Sequence, residues 1–210
     1  GGTGSYILDL IAKTPVGEIH LFDGDKFHNH NAFRSPGAPS YDDLLKNTTK
    51  VEWFTKNYSR MRRNIIPHPQ HVDESNVIEL NSMNVVFLCV DRGESRKIIV
   101  DYLIENKIPF IDVGIGLLNE NEALTGLVRT TTYAPSFNND LSNKISFGSD
   151  DDDEYSTNIQ VADINALNAA FAVIKWKKMC GFYNDIPNEH HTVYGISTNT
   201  LTNNEVENEA

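Results

Sequence analysis

The chain has 210 residues, of which 40% are hydrophobic, so it can bury a sizeable core and is not disordered as a whole. Its 29 acidic and 18 basic residues give a formal net charge of −11, which disfavours non-specific binding to nucleic acids or anionic membranes. The two cysteines exclude a disulfide-stapled scaffold and form no CxxC zinc motif. The longest apolar run, Val85 to Val90, is too short to cross a bilayer, and no signal peptide is visible, so we expect a cytoplasmic protein.

A glycine cluster opens the chain, at residues 1–4. Such a cluster normally follows a strand, so we interpret the chain as a piece that lacks its first strand. Hydrophobic spacing predicts a helix from Ser5 to Lys13 and a strand from Glu18 to Asp23. Glycines at a strand-to-helix turn let backbone N–H groups approach a phosphate, although any tight turn can use glycine.

The middle of the chain alternates helices with buried strands. The predicted helices span Lys50 to Arg62 and Glu94 to Asn106, and the predicted strands span Asn84 to Asp91 and Pro109 to Val113. This alternation is typical of a doubly wound, Rossmann-like α/β sheet. Leu124 to Tyr133 indicates an antiparallel strand, so we expect a mixed sheet that is parallel in its first half and antiparallel afterwards.

The last part of the chain is more polar. The polar composition of residues 136–158 predicts a mobile surface loop. The hydrophobic spacing from Ile159 to Lys178 predicts a helix that returns the chain to the core, and His191 to Ser197 is a candidate last strand. We therefore divide the chain into a nucleotide-binding core (1–133), a polar acidic loop (134–158), a C-terminal helix and strand of the same domain (159–197) and a solvated tail (198–210).

Asp23 ends the first predicted strand about 20 residues after the glycines, where a dinucleotide-binding fold places the acid that holds the ribose hydroxyls. The residues that follow are more specific. The pattern Asp23-x-Asp25-(x5)-Asn31-x-x-Arg34 resembles the signature of the ThiF/MoeB/ubiquitin-activating superfamily.

Further motifs follow in the order of that superfamily. Lys50 begins a helix where the family places its phosphate-binding lysine, although a long loop after Arg34 leaves Lys46 as an alternative. Asp91 ends a strand where the family places its magnesium-binding aspartate, and Arg96 follows five residues later. The segment 108–114 resembles the next family strand, so the resemblance covers residues 1 to 133 motif by motif.

The resemblance implies an enzyme that uses ATP and Mg²⁺ to adenylate the C-terminal carboxylate of a ubiquitin-like protein or peptide, with release of pyrophosphate. It also implies a homodimer, whereas the net charge of −11 leads us to expect neither a nucleic acid nor a membrane as partner. The catalytic residues would be Arg34, Lys50 and Asp91, with Asp91 holding the metal. The nucleotide-binding residues would be Gly1, Gly2, Gly4, Asp23, Asp25, Asn31, Arg34 and Lys50.

The chemistry of this reaction suits a site built from charges. A C-terminal carboxylate has a pKa of about 3.5, so it is ionised at neutral pH and needs no general base. It must approach a negatively charged phosphate, and catalysis is then mostly positioning and charge neutralisation.

Two other functions remain open. A nicotinamide-dependent oxidoreductase would explain the glycines and Asp23 but gives no role to Arg34 or Lys50. An inactive scaffolding subunit would be expected to lose the arginine or the metal-binding aspartate, and both are present. The loop at 130–158, where the family offers a catalytic cysteine, contains none, and we do not expect Cys180 to replace it.

Several residues also have a purely structural interpretation. Asp91 could cap the following helix, and Cys89, in an apolar strand, is expected in the core. The histidine pairs look like metal ligands but have no third ligand at a recognisable spacing, so we interpret them as solvated loop residues. These pairs are His28 with His30, His68 with His71, and His190 with His191.

Overall fold

The computed structural model describes residues 1–136, 141, 144, 145, 147 and 161–205. Its helices are α1 (Gly2–Ile11), α2 (Asn29–Ala32), α3 (Tyr41–Leu45), α4 (Lys50–Tyr58), α5 (Gly93–Glu105) and α6 (Ala162–Met179), with a 3₁₀ helix at Val77–Ser82. Its strands are β1 (Ile19–Phe22), β2 (Ile65–His68), β3 (Val86–Leu88), β4 (Phe110–Glu120), β5 (Ala123–Tyr133), β6 (Glu189–Gly195) and β7 (Thr200–Glu205). Most of the predicted polar loop at 136–158 lies outside the described residues.

The strands form two sheets. Strands β1 and β2 pair in parallel, and the second sheet has the order β3-β4-β5-β6-β7. In that sheet β3 and β4 are parallel, whereas β5, β6 and β7 join by antiparallel ladders. The prediction of a mixed α/β fold, parallel first and antiparallel afterwards, is confirmed. No helix in the described ranges is long and apolar enough to span a membrane.

Helices α1 and α6 pack against each other, and α6 also lies on β4 and β5. Their contact is close because residue 2 is glycine: a Cβ there would lie 2.4 Å from Oδ1 of Asn165. The core between these elements is aliphatic and contains Ile7, Ile11, Ile111, Val113, Ala169, Ala172 and Val173.

Helix α4 is held by aromatic packing. The ring of Phe27 stacks on Trp53, with centroids 4.2 Å apart, and the edge of Phe54 faces both rings. Helix α4 begins with a capping box in which Thr49 and Glu52 satisfy each other's backbone N–H groups. These contacts fix the position of Lys50, the first residue of the helix.

Several predicted elements differ from the structure. Helix α1 begins within the glycine cluster, at Gly2, and β2 occupies a segment that we assigned to no element. Strand β4 continues to Glu120 because it forms a long hairpin with β5 across a tight turn, where Asn121 and Glu122 have φ of 51° and 66°. Residues 200–205, predicted as part of a solvated tail, form β7 because they pair with β6.

Candidate active site

Asp23, Asp25 and Lys50 meet beyond the carboxyl end of β1. The ammonium Nζ of Lys50 lies 2.6 Å from Oδ2 of Asp25 and 3.3 Å from Oδ2 of Asp23. Lys50 is only 8% exposed, so its charge is compensated mainly by these two carboxylates. The hydrogen bond from Lys50 is the largest of the interactions that hold the pKa of Asp25 below its ordinary value. The structure thus brings together three residues that the sequence predicted for one site.

The alternative lysine, Lys46, does not join this group. Its Nζ lies 2.7 Å from Oδ1 of Asp43 on the exposed side of α3. Of the two lysines that the sequence left open, Lys50 is therefore the one that contacts the predicted site.

The start of α1 lies beside the same cluster. The backbone nitrogen of Gly1 is 3.5 Å from Oδ2 of Asp23. A Cβ on Gly4 would lie 3.4 Å from the Cβ of Cys89, which follows β3. The positive end of the α1 dipole is thus placed between the ends of β1 and β3, an arrangement that favours an anion. The glycines are part of the helix itself, and the absent side chain of Gly2 serves its packing on α6.

Asn31 and Arg34 lie on the segment around α2. Asn31 is buried, and its Oδ1 accepts a hydrogen bond from the backbone N–H of His28 at 2.8 Å, which fixes the start of α2. The Nε of Arg34 is buried and has no hydrogen-bond acceptor among the described residues. The pKa of His30 is lowered mainly by burial and next by the charge of Arg34. Weaker contributions include the charge of Lys50. The charges of Arg34 and Lys50 thus both disfavour the protonated form of His30.

Asp91 lies in the connection between β3 and α5 and is exposed. The N-cap of α5 is Arg92, with no side-chain capping bond, so the alternative role of Asp91 as the helix cap is wrong. Among the described residues, no group of three metal-ligating side chains includes Asp91. The position of its carboxylate at the end of a parallel strand is the one expected for a ligand-binding residue in an open α/β sheet.

One such group does exist, formed by Asp23, Asp25 and His71. The Nε2 of His71 lies 3.5 Å from Oδ1 of Asp25. However, the ammonium of Lys50 already lies against both carboxylates and supplies the positive charge that a metal ion would bring. This cluster is therefore an ion-pair network.

A buried charge network near the end of β3 was missed by the sequence analysis. Asp112, in β4, is 0% exposed, and its carboxylate lies 2.6 Å from Nη2 of Arg129 and 3.5 Å from Nε of Arg96. Arg96 also donates to the carbonyl of Val90, directly before Asp91. Burial raises the pKa of Asp112, and the two guanidinium groups oppose that shift. A single acid inside an apolar strand segment was the only sequence signal for this network.

The interpretation of the histidine pairs as solvated loop residues is wrong for part of the set. His68 lies in β2, and its Nε2 is 3.0 Å from Nδ1 of His20. His190 and His191 lie in β6, where His190 is buried and Nδ1 of His191 is 2.9 Å from Oγ1 of Thr131. These histidines pack within the sheets, and none belongs to a group of three metal ligands in the described ranges.

The two cysteines differ as expected from their sequence context. Cys89 is half-buried against the core, and burial raises the pKa of its thiol to about 12, so it is not a nucleophile at neutral pH. Cys180 is exposed just after α6.

The fold places the protein in the Rossmann-like class of α/β proteins. A model of the ThiF family matches residues 1–200, and the chain therefore belongs to the ThiF family. The superfamily indicated by the sequence motifs is confirmed. A comparison with curated protein sequences gives no match.

Several solved structures have a similar fold. The structure of E. coli MccB with MccA is similar, with a TM-score of 0.76 and 16% identity, and that of E. coli MccB with ATP has a TM-score of 0.75 and 15% identity. The structure of PaaA has a TM-score of 0.73 and 16% identity. Each match covers 100% of this chain and 62% of the other chain, so the chain spans less than two thirds of these proteins. At such identities the similarity shows the fold alone.

Proposed function

We propose that the chain is the adenylation core of an enzyme that uses ATP and Mg²⁺ to activate the C-terminal carboxylate of a ubiquitin-like protein or peptide. Membership of the ThiF family supports the reaction class. The similar fold of MccB, which has been solved both with ATP and with MccA, supports a nucleotide and a second substrate. The particular substrate is proposed from the motif resemblance.

The observation that carries this proposal is the side chain of Arg34. Its Nε is buried without an acceptor in the described part of the chain. A buried donor on a charged group is costly when it has no partner, so the arrangement favours an anionic ligand. The charges of Arg34 and Lys50 both help to lower the pKa of His30, which supports a site in which the two cations bind the same ligand. A polyphosphate bound there would satisfy Arg34 and meet the positive end of α1.

The reaction follows from these charges. An oxygen of the ionised carboxylate attacks the α-phosphorus of ATP, the bond to the bridging oxygen breaks, and pyrophosphate leaves with both electrons of that bond. Arg34 and Lys50 would stabilise the negative charge that develops on the phosphates. Asp23 would accept hydrogen bonds from the ribose hydroxyls.

The remaining predicted residues fit around the phosphates. Backbone N–H groups of Gly1, Gly2 and Gly4 would approach the phosphates at the start of α1. The side-chain oxygen of Asn31 caps α2, so we propose that its amide nitrogen is the group that donates to the nucleotide.

Asp91 is the residue proposed to hold Mg²⁺. In nucleotide sites this ion binds one or two carboxylates together with substrate phosphates and keeps several waters. The exposed carboxylate of Asp91 beyond β3 fits such a site. A bound Mg²⁺ would neutralise part of the phosphate charge.

Exchange of labelled pyrophosphate into ATP tests the proposal, with the full chain and a panel of peptides and small proteins that end in free carboxylates. We expect exchange that depends on the added C-terminus. Arg34→Ala should lower ATP affinity by about tenfold or more, because a charge-assisted hydrogen bond is lost. Arg60→Ala, an exposed arginine after α4, is the matched control and should bind ATP like the wild type.

Other outcomes separate the alternatives. Tight NAD binding without ATP binding would favour the oxidoreductase, which the family assignment disfavours. ATP binding without exchange against any C-terminus would favour the scaffolding subunit. Sedimentation of the full chain tests the homodimer that the resemblance implies.

A further inference from the structure

Asp23 and Asp25 contact the same ammonium group, but they differ in what else they bind. Oδ1 of Asp25 faces Nε2 of His71 at 3.5 Å, and its Oδ2 faces Nζ of Lys50 at 2.6 Å. Both oxygens of Asp25 therefore face side chains of the protein, whereas Oδ1 of Asp23 accepts the backbone N–H of Asp25 at 2.9 Å. Asp23 is 3.3 Å from the same Nζ and lies next to the start of α1, beside the proposed phosphate site.

The backbone reinforces the contact between Asp25 and Lys50. The carbonyl of Asp25 accepts a hydrogen bond from the N–H of Lys50 at 2.9 Å. Next to it, Lys26 and Thr49 form an isolated antiparallel bridge, and the N–H of Phe27 donates to the carbonyl of Thr48. The segments around Asp25 and Lys50 are thus joined by backbone hydrogen bonds. Asp25 contacts Lys50 twice, through its backbone carbonyl and through its side-chain carboxylate.

This double attachment matters because a lysine has a long flexible side chain. An unrestrained ammonium loses rotational freedom when it binds a phosphate, and a carboxylate that orients it beforehand removes part of that cost. The shorter of the two carboxylate distances belongs to Asp25, so Lys50 can leave Asp23 when a ribose binds there and still be held by Asp25.

We infer that Asp25 is a positioning residue that orients Lys50 toward the phosphates, and that it is not a ligand of the nucleotide. The inference rests on the proposed function, because it requires Lys50 to bind ATP phosphates. It revises the role implied by the motif resemblance, which groups Asp25 with the nucleotide ligands.

Nucleotide binding by the full chain tests this inference, with ATP and adenosine as probes in calorimetric titrations. Asp25→Asn should weaken ATP binding by about tenfold, because Lys50 loses a charge-assisted hydrogen bond, and should leave adenosine affinity within about twofold. Asp23→Asn should weaken the binding of both ATP and adenosine, because both contain the ribose that Asp23 is proposed to contact. In a Lys50→Met background, Asp25→Asn should cause no further loss of ATP affinity. Asp42→Asn, an exposed acid of α3, is the matched control.

A second readout needs no nucleotide. Acetylation of Lys50 by an amine-selective reagent, followed by mass spectrometry, should be about tenfold faster in Asp25→Asn, because the ammonium is released from its strongest partner. Lys107, which is exposed, provides the internal reference rate.

The outcomes are distinguishable. Equal losses of ATP and adenosine affinity in Asp25→Asn would show that Asp25 is a nucleotide ligand. Unchanged ATP affinity, or an unchanged rate of Lys50 acetylation, would show that Asp25 does not position Lys50. Each of these results overturns the inference and leaves the proposed function intact. A wild-type chain that binds neither ATP nor adenosine would overturn the proposed function, and the inference with it.

Discussion

Replacement of Gly2 by alanine tests how α1 packs on α6. The added Cβ would lie 2.4 Å from Oδ1 and 2.6 Å from Nδ2 of Asn165. Asn165 is 1% exposed; its Nδ2 donates to the carbonyl of Val161 at 2.9 Å, and its Oδ1 accepts from the hydroxyl of Thr3 at 2.8 Å. The asparagine cannot move aside without weakening both hydrogen bonds.

The expected loss of stability follows from these contacts. Two disrupted buried hydrogen bonds cost about 2 kcal/mol. Overpacking of two helices adds about 1–3 kcal/mol, and the better helix propensity of alanine returns at most about 1 kcal/mol. Gly2→Ala should therefore lower the free energy of unfolding by about 3 kcal/mol.

Urea unfolding followed by circular dichroism measures this change, and a double-mutant cycle with Asn165→Ala isolates its cause. In the Asn165→Ala background the steric conflict is gone, so Gly2→Ala should then cost less than about 1 kcal/mol. Gly17→Ala is the matched control, because a Cβ at that position meets no atom within 4 Å. If Gly2→Ala is as stable as the wild type, or if its cost is the same with and without Asn165, the packing argument is refuted.

The buried network, a histidine and the cysteines give further tests. Arg129→Met should lower the free energy of unfolding in urea by about 3 kcal/mol or more, because Asp112 loses its nearest partner; a loss below about 1 kcal/mol would contradict this. Burial lowers the pKa of His191 to about 4, so the folded state binds its proton less readily than the unfolded chain. Stability should fall as the pH drops from about 6.5 toward about 4, and thermal unfolding should show a smaller fall in His191→Gln than in the wild type. Iodoacetamide near neutral pH should label exposed Cys180 well before half-buried Cys89, whose thiol has a pKa raised to about 12; mass spectrometry showing the reverse order would contradict that assignment.

The elements that the sequence predicted are those with clear hydrophobic periodicity. Helices α4, α5 and α6 and strand β5 show it, and their predicted positions are confirmed with small shifts at the ends. Strand β2 escaped detection because its four residues include Pro67 and His68. Strand β7 is rich in threonine and asparagine, and only its ladder with β6 makes it a strand. Pairing with a neighbouring strand determines the structure of these two segments, and no local sequence pattern predicts that pairing.

The same distinction applies to the candidate site. Asp23, Asp25 and Lys50 were predicted together because their motif has a fixed order along the chain, and the structure brings them into contact. The partners of Asp112 lie on α5 and β5, at distances along the chain that no spacing rule connects. The role of Gly2 in helix packing depends on Asn165, near the other end of the chain.

The network of Arg96, Asp112 and Arg129 also constrains how the sequence can diverge. One carboxylate lies between two guanidinium groups, so loss of the acid alone would leave two like charges close together in the interior. Loss of one arginine alone would leave the acid with half of its compensation. We therefore expect substitutions that retain full stability to be concerted, with an apolar residue in place of the acid accompanied by neutral residues at both arginine positions. Residues on α5, β4 and β5 are in this way coupled energetically, although they are far apart in the chain.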